Sequence, residues 1–132
     1  MSTTRPHPQR AAHANTIRVV ALVLLVVAAS LIVASTLHLA GLVHGQGGSF
    51  DADHAGIAEA VIAVALLGAA ITMRRAPAHA RTVGLAAAAF AVVGFLVGLR
   101  FTLGGGHLPD IAYHLTGLPI LIGSVIALWR AR

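Results

Sequence analysis

TVGLAAAAFAVVGFLVGLRFTL, residues 82–103, decides the fold. Its one ionisable residue is Arg100. At 1.5 Å of rise per residue a helix of this length covers about 33 Å, enough to cross the roughly 30 Å hydrocarbon core of a bilayer. Lipid offers no partner to a backbone N–H or C=O, so such a stretch must pair its own polar groups, as a helix does. Three further apolar runs stand beside it, at Ile17–Val43, His54–Met73 and Leu108–Trp129. The expected architecture is an all-α membrane protein, a bundle of four transmembrane helices over residues 17–132. Residues 1–16, with Pro6 and Pro8, are expected to form a flexible cytoplasmic tail. Arg10, Arg18 and Val33-Ala34-Ser35 imitate a cleavable signal around the first run. That run extends well past the usual 7–15 apolar residues of such a segment, so the helix is expected to be retained.

Composition agrees. Of 132 residues, 58% are hydrophobic and 10% charged, against about 45–50% and 25% in soluble domains; mean hydropathy is +0.87. This excludes a disordered chain and argues against a soluble one. All nine basic residues are Arg. They gather at segment ends and form no stripe, which speaks for a membrane and against nucleic acid. Cysteine is absent, so disulfides and thiolate chemistry are excluded. Arg5, Arg10 and Arg18 precede the first span, Arg74, Arg75 and Arg81 lie between the second and third, and Arg130 and Arg132 end the chain. By the positive-inside rule both termini are expected in the cytoplasm of a cell bounded by a plasma or inner membrane. Asp51, Asp53 and Asp110 then fall on the outer side.

Local signals fill in the connections. Gly45, Gly47 and Gly48 mark an outer loop, and Gly104-Gly105-Gly106 is short enough to make the last two helices antiparallel neighbours. Pro77 marks the cytoplasmic turn, and Pro119 is expected to kink the fourth helix. Gly94-Phe95-Leu96-Val97-Gly98 is a GxxxG pattern, read as a seat for a neighbouring helix within the bundle in preference to a dimer contact. Tyr113 and Trp129 are read as interfacial belt residues. Leu37-His38-Leu39 and Leu99-Arg100-Phe101, with His54 and His114, hint at a two-plus-two internal repeat.

A polar layer is out of place in a passive anchor. Of eight histidines, His7, His13 and His79 lie in cytoplasmic segments; His38, His44, His54, His107 and His114 lie on the outer half. By helical rise His38 lies roughly 7.5 Å inside its span, Glu59 at a similar depth, Arg100 roughly 4.5 Å and His114 roughly 9 Å. Each helix contributes one ionisable residue at nearly one level. Such residues face inward and pair, so a Glu59–Arg100 ion pair is expected, with His38 and His114 beside it. His44, His54, His107 and Asp110 make a mouth above. Three readings are open. The layer fixes helix packing, as in a structural or accessory subunit. Alternatively, His38, His114, Glu59, His54, His44, His107 and Asp110 supply ligands for a divalent transition metal such as zinc, copper, nickel or iron. Or His38 and His114 hold haem b in an electron carrier. A proton pathway through Glu59 is a lesser variant. No Ser-His-Asp arrangement or phosphate-binding Gly loop is present, and the chain is read as non-enzymatic. Its expected partners are the bilayer and either further copies of the chain or a larger membrane complex.

Asp51-Ala52-Asp53-His54 resembles part of the signature of nickel and cobalt permeases, whose upstream His is Gly48 here. Those permeases have about twice as many spans, and transport does not carry over. From about Leu37 to Trp129 the chain looks like small four-span membrane proteins of actinobacterial type. That resemblance lies in Ala55-Gly56-Ile57-Ala58-Glu59-Ala60, Gly94-Phe95-Leu96-Val97-Gly98-Leu99 and Pro109-Asp110-Ile111-Ala112-Tyr113-His114, and implies no activity.

Overall fold

The computed structural model describes residues 8–44 and 51–131. The loop glycines Gly45, Gly47 and Gly48, together with Arg5, His7 and Arg132, lie outside the described residues. Every regular element among those described is an α-helix: α1 Pro8–Leu39, α2 Ala52–Arg75, α3 Ala80–Thr102 and α4 Leu108–Arg130. All four are long and apolar enough to cross a bilayer. By length and composition this is a small multi-pass membrane protein.

The helix ends follow local chemistry. α1 begins at Pro8 rather than Ile17. Proline suits a first helical turn, and Ala11, Ala12 and Ala14 are strong helix formers, so polarity does not stop the helix where it stops the span. α1 ends at Leu39 rather than Val43. Gly41 takes a left-handed φ of 67°, its N–H donates to His38 O, and the Leu42 N–H donates to Leu37 O, each at 3.0 Å. This is a Schellman termination, which only glycine makes without strain. Asp51 caps α2, accepting the His54 N–H at 3.0 Å. In the first turn of α4, Asp110 Oδ2 accepts the His107 N–H at 3.3 Å. At the opposite end Arg81 donates from Nε to Leu128 O at 3.0 Å and from Nη2 to Trp129 O at 3.3 Å, closing the last turn of α4.

α1 lies against α2 and α3 against α4, α2 meets α3, and α4 closes the ring against α1. Each helix buries one stripe at three- and four-residue spacing. On α1 it is Val20, Ala21, Leu24, Val27, Ala28, Leu31, Ser35 and His38. On α2 it is Gly56, Glu59, Ile62, Ala63, Leu66, Ala69, Ala70 and Met73. On α3 the stripe runs through Ala80, Gly84, Ala88, Ala91, Phe95 and Thr102, and on α4 through Gly117, Leu121, Ser124 and Leu128. The outward faces carry Val26, Val64, Val93, Leu96 and Ile126, all exposed. Apolar surface of that extent is satisfied by hydrocarbon and not by water.

The GxxxG glycines work inside the bundle. A Cβ on Gly94 would meet the Ile62 side chain of α2, and one on Gly98 would meet the His114 ring of α4. Tyr113 departs from its expected place in an interfacial belt. Its hydroxyl shares a 2.7 Å hydrogen bond with Ser30 Oγ of α1, and its ring packs 5.6 Å from that of Phe95. Trp129 is exposed near the arginine end. α4 runs unbroken through Pro119. The positions paired by the apparent repeat are not equivalent, because His38 is buried where Arg100 is exposed, and His54 is exposed where His114 is half-buried.

Candidate functional site: a cleft between α2 and α3

The turn Ala76–His79 draws α2 and α3 together at the arginine end. Towards the other end they part, and a cavity of about 560 Å³ opens between them. Its deep wall is apolar, formed by Ile62, Phe90, Val93, Gly94 and Phe95; its upper wall includes Ala58, Val97, Gly98 and Phe101. Val93, Val97 and Phe101 also face outward, so the cleft opens sideways between the helices. His38, Glu59, Asp110 and His114 line its polar end, with Asp51 and His54 at the mouth.

The inner wall is built by the α1–α2 crossing. Gly56 lets α1 approach closely: a Cβ there would stand 2.8 Å from Leu39 Cγ and 3.2 Å from His38 Cβ. Beside it Ser35 Oγ donates to Gly56 O at 2.7 Å. That crossing sets His38 Nδ1 2.8 Å from Glu59 Oε2. The two residues are 4% and 8% exposed. Burying a carboxylate is costly without a partner, and the imidazole supplies one.

The facing wall is set by α4. His114 Nδ1 is 2.8 Å from Asp110 O, one turn earlier on the same helix. A carbonyl only accepts, so Nδ1 carries the hydrogen and Nε2 of the neutral ring is an acceptor. The ring lies 5.3 Å from that of Phe95 and over Gly98, whose missing side chain leaves it room. At the mouth His54 Nδ1 is 3.1 Å from Asp51 Oδ2. The His54 N–H bonded to Asp51 holds that carboxyl below its ordinary value of 3.8.

Of the expected site, His38, Glu59, His114, His54 and Asp110 line one cavity, and two expectations fail. Glu59 pairs with His38 and not with Arg100, which is exposed. At 100° per residue Arg100 stands about 140° round α3 from the buried Phe95, so its depth matches the layer but its direction does not. Secondly, no group of three or more His, Cys, Asp or Glu among the described residues is placed to hold a metal ion. His44 is exposed beside Gly41, with Nε2 3.8 Å from where a Cβ would stand, and His107 sits at the N-cap of α4. Neither lines the cleft. Sequence reasoning missed the aromatic wall of Phe90, Phe95 and Phe101 and the Ser30–Tyr113 contact. The buried stripe was the available signal, since Phe95 falls on it.

No protein-family model matches the chain, and neither a curated protein nor a solved structure does.

Proposed function

We propose that this is a multi-pass protein of the plasma or inner membrane, both termini cytoplasmic, that holds a membrane-soluble amphiphile in the α2–α3 cleft. The head of that molecule lies at His38, Glu59 and His114, and its apolar body lies along Phe90, Val93 and Val97. The observation that carries this reading is the joining of two features: a cavity of about 560 Å³ open to the lipid side, and a buried hydrogen-bonded His–Glu pair on its polar wall. The volume falls within the roughly 300–1,000 Å³ of small-molecule sites, which are mostly apolar with a few placed polar groups. From His54 to Ile62 the α2 wall rises about 12 Å, so the site extends along the helix axis as an amphiphile would. The spread of ionisable groups along that wall suits an elongated organic molecule better than a bare metal ion, which needs three or four donors at one point.

The test is purification in mild detergent followed by extraction and mass spectrometry. One amphiphile per chain is expected, and it should be lost when the cleft is filled by Ala58→Trp while the protein stays folded by circular dichroism. Extracts that match bulk lipid for both proteins would refute the reading. A Soret band in the same preparation would identify the molecule as haem.

A further inference from the structure

We infer that the molecule held in the cleft carries a positively charged head, a protonated or quaternary amine on an apolar body; this rests on the cleft being a binding site. The walls carry three carboxylates, Asp51, Glu59 and Asp110, three imidazoles, and no arginine. The arginines are turned elsewhere: Arg18, Arg74, Arg75, Arg100 and Arg130 are exposed, and Arg81 is spent on the end of α4. Arg100, the one arginine placed near this end, is exposed and does not line the cleft.

Helix ends do not reverse this balance. The positive N-termini of α2 and α4 are met by Asp51 and Asp110, while the C-termini of α1 and α3 add partial negative charge at the same end. The hydrogen-bonding inventory has the same sense. His114 Nε2 is an acceptor in the neutral ring, whereas the Thr102 hydroxyl donates to Gly98 O and is occupied. Three phenylalanines, Phe90, Phe95 and Phe101, line the cleft, and aromatic rings attract cations. An anionic head would meet carboxylates in a site of low dielectric; a cationic head would be drawn in.

The test uses the full chain in phosphatidylcholine nanodiscs with three probes of equal tail length, dodecyltrimethylammonium, laurate and dodecanol, measured by equilibrium dialysis against empty discs. The ammonium is expected to bind saturably at one per chain and at least tenfold more tightly than the other two. Glu59→Gln keeps the side chain's size and a hydrogen bond to His38 but removes the carboxylate; it should erase that tenfold preference. Asp110→Asn leaves the buried pair intact and should reduce the preference severalfold, which keeps the test decisive if Glu59→Gln fails to fold. Laurate or dodecanol binding as tightly as the ammonium would overturn the charge assignment while leaving the cleft a site. Saturable binding of none of the three would overturn both.

Discussion

His38 and Glu59 are the residues on which the polar wall depends. Each bonds the other inside the bundle, so removing one takes that hydrogen bond from a buried polar group. His38→Leu and Glu59→Leu should each destabilise the protein by about 1–3 kcal/mol, read from reversible unfolding in mixed detergent. The double variant should cost less than the two singles together, since the second change removes a group that has already lost this bond. Strict additivity would show that the pair contributes no coupling. Asp51 gives a pH effect of defined sign. Its carboxyl is lowered below 3.8 by the His54 N–H, so its cap is at full strength above that value and fades as pH falls through the lower native value. The protection factor of the His54 amide, its exchange rate relative to the intrinsic rate at each pH, should therefore fall on acidification in the wild type. In Asp51→Asn, whose amide also caps helices, that protection factor should not change over the same range. Equal pH responses in the two proteins would remove the carboxylate from the cap.

At the level of elements, glycines divide by what they face. A Cβ on Gly117 would enter the Phe95 ring, and one on Gly98 the His114 ring, whereas Gly68 and Gly123 face open space. Gly117→Ala should therefore destabilise by about 1–3 kcal/mol through overpacking. Gly123→Ala should be neutral or stabilising by up to about 1 kcal/mol, because alanine is the better helix former. A loss at Gly123 equal to that at Gly117 would contradict the packing described. The four apolar helices, their order and the use of GxxxG within the bundle were legible from residue spacing alone. The end of α1 was legible too, since Gly41 carries the signal of a left-handed termination, although hydropathy ran past it to Val43. Tyr113 was not: length and depth place it near an interface, and only the opposing Ser30 shows that it turns inward.

Over the whole molecule, orientation decides whether the cleft opens to the outer leaflet. The chain has no cysteine, so single cysteines report sidedness cleanly. Gly104→Cys, in the α3–α4 turn, should react with a membrane-impermeant maleimide in intact cells. Ala78→Cys, between α2 and α3, should react only after permeabilisation. The reverse pattern would place the acidic cleft on the cytoplasmic side.

By itself the sequence determined how many helices there are and which end carries the carboxylates and histidines, because bilayer thickness and backbone hydrogen bonding leave apolar runs of this length one solution. Depth along α1 was not so determined, because the helix ends at Leu39 and His38 stands one residue inside that end rather than five. Direction around the helix and the spacing between helices were not, and those chose His38 over Arg100 as the partner of Glu59. Only the tertiary structure decided that a cleft stands between α2 and α3, since a void is a property of how four surfaces meet and is written in no single one of them.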